Sequence, residues 1–222
     1  MTKREKKQTF ASDDYFYSAN NALKSGDYET AVNDFSEVIK KYPNSIDSYY
    51  GRGEAYLKLK SWDNAYNDFV KAAEMHQFKG DKNEAISCYN KAISVDDKRI
   101  NAFLGRGNLY LDSREYRAAL VDYDKVLKID KRNYAGYFGM GEVYFNQQRY
   151  SKAIDYFKDA RSLDNSDPLI YQYLTISYMF ESDDKNVRKS YDKFMELASD
   201  NQKVNFRQDS KYSRIEKIVQ NH

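Results

Sequence analysis

The sequence predicts an all-α array of repeated helix pairs, and three observations carry that expectation. Alanines at 31, 65, 85, 119 and 153 are separated by 34, 20, 34 and 34 residues, and each stands four before an aromatic residue: Phe35, Phe69, Tyr89, Tyr123 and Phe157. Upstream of three copies, Gly53, Gly107 and Gly141 stand 12 before the alanine and three before a tyrosine (Tyr56, Tyr110, Tyr144); Ala19 holds that place before Ala31. The 222 residues include only 2 Pro and 9 Gly, too little turn chemistry for a β-sandwich or barrel.

Each unit therefore holds two helical segments. The first carries an aromatic, a small residue and a tyrosine at i, i+4 and i+7; the second carries alanine, an aromatic and Ala or Val at the same spacing. Both spacings put the three residues on one helical face. The first segments also hold the pairs Gly51/Gly53, Gly105/Gly107 and Gly139/Gly141. Glycine inside a helix is about 0.5–1 kcal/mol less favourable than alanine, so these pairs together oppose folding by about 3–6 kcal/mol. That is comparable with a domain's net stability. Close helix packing is the expected compensation.

A 34-residue period with a small residue at position 8, an aromatic at 11, alanine at 20, an aromatic at 24 and a small residue at 27 resembles the tetratricopeptide repeat. On that resemblance the array spans 12–200. Repeats run 12–45, 46–79, 100–133 and 134–167, with a truncated repeat overlapping the second and ending at 99, and a degenerate one over 168–200. Pro43 matches the family's proline at position 32; Lys131 and Asn165 stand there in later repeats. The resemblance implies antiparallel helix pairs stacked as a right-handed superhelical solenoid, with first helices lining the inner groove. It also sets position 8 against position 20, hence Gly107 against Ala119 and Gly141 against Ala153. Gly51, Gly105 and Gly139 fall at position 6, which the family turns into the groove; their repetition either opens space there or reflects a shared ancestral repeat.

The spacing of 20 leaves 14 residues, one helix, missing between the second and third full repeats. The stretch 62–79 fits a second-helix pattern through Ala65, Phe69 and Ala72, and a first-helix pattern through Phe69, Ala73 and Gly80. Three helices are expected at 46–59, 62–78 and 82–95, with an irregular joint near 62–97. Arg52 and Arg106 hold position 7, normally aliphatic, and are expected to pair with acidic neighbours between repeats. Over 201–222 the repeat is lost. Tyr212, Ile215 and Val219, widened by Ile218, form a stripe expected to cap the array as a C-terminal helix. Residues 1–11 are expected to be a basic, disordered tail.

Composition narrows the function classes. The balance of 36 Lys+Arg against 34 Asp+Glu argues against a dedicated phosphate-backbone binder. Cys88 is the one cysteine, which excludes an intramolecular disulfide and a multi-cysteine metal site. No stretch approaches the ~20 apolar residues of a membrane span. No apolar core follows the basic start Met1 to Lys7, so no secretory signal is expected and cytoplasm is the default compartment. The Gly-x-Gly pairs lie in predicted helices, follow no strand and lack a third glycine, so they are not nucleotide loops. His76 and His222 have no metal-ligand spacing. The acidic pairs Asp13-Asp14, Asp96-Asp97 and Asp183-Asp184 are expected at helix boundaries, as caps. No cofactor, metal or catalytic residue is expected.

The family binds peptides along its first helices. Carried over one residue at a time, positions 5 and 9 give Phe16 and Asn20, Tyr50 and Glu54, Leu104 and Asn108, and Phe138 and Glu142, with Gln172 and Ile176 in the degenerate repeat. This lining of aromatic, acidic and amide groups suits apolar or basic side chains. The lysine, asparagine and arginine set by which chaperone-binding members clamp a C-terminal carboxylate is not supplied, so that ligand is disfavoured. The resemblance implies a non-catalytic scaffold or adaptor for a protein or peptide partner. The alternatives are a self-assembling structural component, and nucleic-acid or membrane-surface association through the basic tail.

Overall fold

The structure is a computed structural model that describes residues 3–220, with side chains from residue 14 onward. Thirteen helices and no strand occur among the described residues: α1 Lys3–Ser25, α2 Tyr28–Lys41, α3 Ile46–Lys58, α4 Trp62–Lys79, α5 Lys82–Val95, α6 Ile100–Asp112, α7 Tyr116–Ile129, α8 Tyr134–Asn146, α9 Tyr150–Leu163, α10 Pro168–Phe180, α11 Asp184–Leu197, α12 Asp200–Arg207 and α13 Tyr212–Gln220. They form two compact units, one ending at Leu109 and the other beginning at Tyr110. Short turns set consecutive helices antiparallel, and α1 to α5 and α7 to α11 each pack on their neighbours in chain order.

The turns repeat as faithfully as the side chains. Backbone φ is positive at Gly26, Lys60, Gly80, Arg114, Gln148 and Ser182, again separated by 34, 20, 34, 34 and 34 residues. Each of these residues closes a first helix. The residue after it donates its N–H to the carbonyl five back, from Asp27 to Ala22 (2.9 Å) through Asp183 to Tyr178 (3.0 Å), a Schellman-type stop. The donor then caps the next helix. Asp27 accepts from the Thr30 amide and Asp183 from the Asn186 amide, each at 3.2 Å.

These stops settle the double pattern over 62–79. Second helices end in extended backbone, with φ of −149° at Asp96 and −132° at Asp130. Helix α4 instead starts after the left-handed Lys60 as a second helix does, and ends at left-handed Gly80 as a first helix does. It packs against α3 on one side and α5 on the other. At 18 residues it exceeds the 13 of α3 and the 14 of α5.

The aromatics on the second helices hold the core. Phe35, Phe69, Tyr89, Tyr123 and Phe157 are all buried. Here the structure corrects the expected glycine roles. A Cβ on Gly141 would stand 2.6 Å from the Phe157 ring, and one on Gly53 3.0 Å from the Phe69 ring, so position 8 faces the aromatic at 24 of its own repeat. Ala153 is not the neighbour that demands glycine. The position 6 glycines open no space either. Cβ atoms at Gly51, Gly105 and Gly139 would lie 2.4, 2.2 and 2.5 Å from the rings of Phe35, Tyr89 and Tyr123, each on the preceding second helix. Glycine is required there because the ring on the preceding second helix occupies the space a side chain would take.

At position 7, Arg52 finds its acid within its own repeat and not between repeats as expected. Its guanidinium donates twice to Asp68, through Nε and Nη2 at 2.8 Å each, and once to Ser36 Oγ at 3.0 Å, tying α3 to α4 and α2. Arg106 donates to Asn90 Oδ1.

Both ends of the chain differ in detail from expectation. The backbone of α1 is helical from Lys3, inside the stretch 1–11 read as a tail, whose side chains lie outside the described residues along with residues 1 and 2. The pair Asp13-Asp14 is therefore inside a helix, not at its boundary. At the other end two helices replace the expected one. Ser199 and Gln202 form a reciprocal capping box at the start of α12. Phe206 and Ile215 are buried with Val187, Phe194 and Met179, while Tyr212, Ile218 and Val219 pack more loosely against the same cluster. Arg188 donates to the Ile218 carbonyl at 3.0 Å.

Candidate functional site

In the first unit the aromatic candidates turn inward. Phe16 meets Phe35 edge-on at 6.1 Å, and the Asn20 amide donates to the Phe16 carbonyl at 2.7 Å. Tyr50 packs edge-on against Phe69 at 5.5 Å. Glu54 is paired with Lys91 of α5 at 3.0 Å. Burial pushes the Tyr50 phenol above its ordinary value, with nearby Lys91 pulling the other way. Through the Glu54 and Lys91 pair, a lysine of α5 takes up the charge of a carboxylate on α3. Leu104 is half-buried and Asn108 exposed on α6.

The second unit is built differently. Along α8, Tyr134, Phe138 and Glu142 follow at four-residue intervals, all half-buried. Tyr134 and Phe138 stack at 5.7 Å. Phe138 also meets Phe157 at 5.6 Å and Tyr173 of α10 at 5.6 Å. Tyr173 stands 34 residues after Gly139, in the place earlier repeats give to glycine. Its ring stacks on Phe157 at 5.0 Å, and its hydroxyl donates to Glu142 Oε1 at 2.8 Å. Tyr134 donates its hydroxyl to Asp167, the cap of α10, which also accepts from the Leu169 amide at 2.8 Å.

The electrostatics of this face are one-sided. Burial raises the Glu142 carboxyl above the usual range, the Tyr173 hydrogen bond opposes that rise, and Asp112 and Asp167 add to it. The Tyr173 phenol is pushed well up by burial and by the Glu142 charge. Among the described residues no lysine or arginine pairs with Glu142, whereas Glu54 has Lys91.

Of the residues on this face, sequence reasoning named Phe138 and Glu142 and did not name Tyr134, Tyr173 or Asp167. The signal for Tyr173 was its register, 34 past Gly139 and next to Gln172 in the last repeat. Ile176, carried over as a groove position, is only 4% exposed and belongs to the core. Gln172 is half-buried.

Cys88 is buried, and burial, then Glu84, pushes its thiol up to about 11, away from thiolate reactivity. The Gly-x-Gly pairs lie within α3, α6 and α8. Among the described residues no three or more His, Cys, Asp or Glu side chains are grouped to hold a metal ion, and no helix is long and apolar enough to cross a membrane.

A stacked series of helix pairs closed by left-handed stops at a 34-residue period defines a repeat scaffold of the kind that holds other proteins. A tetratricopeptide repeat model matches residues 18–83 and 104–168, and a second such model matches 70–99. The chain belongs to the tetratricopeptide repeat family. The second match starts inside α4, which is thus used both as the end of one repeat and the start of another. No curated protein sequence matches the chain. Among solved structures, a crystal structure of MamA protein is 18% identical, with a TM-score of 0.51 over 87% of this chain and 94% of that one. MamA from residue 41 to its end, from Desulfovibrio magneticus RS-1, is 20% identical, with a TM-score of 0.52 over 84% and 94%. At these identities the likeness is one of fold.

Proposed function

We propose that this protein is a non-catalytic adaptor whose second unit holds a basic segment of a partner protein along α8. One observation carries the reading: Glu142 is a half-buried carboxylate with a tyrosine hydroxyl, not a cation, as its partner. A lysine or arginine side chain laid over Tyr134 and Phe138 would gain ring contact along its stem and meet Glu142 with its charged end. Asp112 and Asp167 add to the negative potential there. The matching carboxylate of the first unit, Glu54, is already neutralised by Lys91, which makes the second unit the better place for a cationic ligand.

The test is site-specific photocrosslinking in lysate of the native source, with p-benzoylphenylalanine at residue 138 and, as control, at exposed Val121 on α7. The expected result is a crosslink at 138 to a segment containing Lys or Arg, lost on Glu142→Gln. Crosslinking at 121 alone, or a residue 138 adduct indifferent to Glu142→Gln, would defeat the reading.

A further inference from the structure

Phe78, in the last turn of α4, is 94% exposed, more than any other large apolar side chain described. A cavity of about 430 Å³ opens beside it, lined by Asn44, Lys71, Glu74, Met75, Phe78 and Lys79. Lys71, Met75, Phe78 and Lys79 follow at i, i+4, i+7 and i+8, so they form one stripe on the helix. The stripe exists because of the joint. A shared helix must run 18 residues to complete both its repeats, and its last turns carry apolar side chains past the core that α3 and α5 provide. Met75 packs partly against that core; Phe78 does not.

The rim has a charge preference. Lys71 and Lys79 flank the apolar pair against one carboxylate, Glu74, and Asn44 follows the Lys40-Lys41 end of α2. A second copy is a poor occupant. A two-fold contact centred on Phe78 would bring Lys79 of each copy against the other. A partner segment with acidic flanks would instead be drawn in by the lysines and seat an apolar side chain against Phe78 and Met75.

We propose that this surface is a docking site separate from α8, and that its occupant is a partner segment with one apolar anchor flanked by Asp or Glu. The two units would then receive segments of opposite charge, one on a lysine-rimmed apolar cavity and one on a carboxylate-lined aromatic face.

The test uses the full chain, immobilised, against a phage-displayed library of random peptides. Enriched sequences are remade with a fluorescent label and measured by anisotropy. The expected winners carry an apolar residue between acidic ones and weaken with added salt. Phe78→Ala lowers their affinity by about tenfold or more, and Lys71→Glu with Lys79→Glu does the same. Glu142→Gln leaves it unchanged, so a failed reading of α8 leaves this result standing, and the reverse. Phe78 is exposed, so its removal should not unfold the chain; the melting temperature checks this. Basic winners, no enriched sequence, or winners indifferent to Phe78→Ala would overturn the proposal. So would self-association in sedimentation that disappears on Phe78→Ala, which would name a second copy as the occupant.

Discussion

The ring of Tyr123 fills the space that a side chain at residue 139 would need: a Cβ built on Gly139 would stand 2.5 Å from Cζ of that ring. The ring is fully buried on the second helix of one repeat, and the glycine lies on the first helix of the next. Gly139→Ala therefore sets two effects against each other. Alanine favours the helix by about 1 kcal/mol, while overpacking a closed core is unfavourable by about 1–3 kcal/mol. The ring is rigid and buried, so overpacking should win. Urea unfolding should show a net loss of stability. In a Tyr123→Leu background the same change should become neutral or stabilising, and a double-mutant cycle measures the difference.

That relationship marks where the sequence stops being legible. The period of 34, the missing helix and the double pattern over 62–79 all lie in the order of residues, because a repeat writes its packing into fixed offsets. What fills the space above each glycine does not. Gly51, Gly105 and Gly139 appear free to open a groove until the ring of the preceding second helix is placed against them. The candidate face was half legible for the same reason. Phe138 and Glu142 follow from their register, and so does the position of Tyr173, but the bond from its hydroxyl to Glu142 is a contact that no offset states. At Glu54 the register does not reveal the pairing with Lys91, because that contact reaches across α4 to a helix further along the chain.

The left-handed turn residues give a second expectation. Gln148 holds φ of 59° with a full side chain, where Gly26 and Gly80 use glycine. A left-handed residue with a Cβ is strained by about 1–2 kcal/mol, and the unfolded chain gains about 0.4–1 kcal/mol of freedom from a new glycine. Gln148→Gly should therefore stabilise modestly, by about 0.5–1 kcal/mol. Gly80→Ala should do the opposite, and no side chain need clash for that, since nothing lies within 4 Å of the added Cβ. Thermal melts of the two variants check the pair.

Arg52 and Asp68 make a third case, in which pH separates charge from packing. Burial raises the Asp68 carboxyl above its ordinary value, and the bidentate Arg52 opposes that rise. A raised carboxyl holds its proton in the folded state over a window where the unfolded state has released it, so stability falls as pH climbs through that window. Arg52→Met removes the opposing charge and extends the window upward. The variant should lose about 3 kcal/mol at neutral pH. The gap from wild type should narrow as pH falls toward about 4, where a protonated Asp68 needs no cation. Urea midpoints across that range would reveal it, and a loss independent of pH would assign the effect to packing alone.

Glu142 supplies the last expectation, because its titration links stability to binding. Its carboxyl is raised by burial and by Asp112 and Asp167, with Tyr173 opposing. Folded protein therefore takes up a proton at Glu142 at a higher pH than an ordinary glutamate does. Ionising that group in the folded state is unfavourable, so Glu142→Gln should raise stability slightly at neutral pH, since glutamine can still accept the Tyr173 hydroxyl. A cationic side chain seated at Glu142 reverses the preference, because it favours the carboxylate and holds the proton off. Affinity for a lysine-containing peptide identified by crosslinking should thus weaken as pH is lowered, beginning above the ordinary carboxylate range, with proton uptake accompanying binding in that window coming out negative. Titration calorimetry in buffers of different ionisation enthalpy measures that proton release directly. In Glu142→Gln the affinity should be weaker and flat with pH over the same interval. A wild-type profile as flat as the variant's would mean that the ligand charge is met elsewhere on the face.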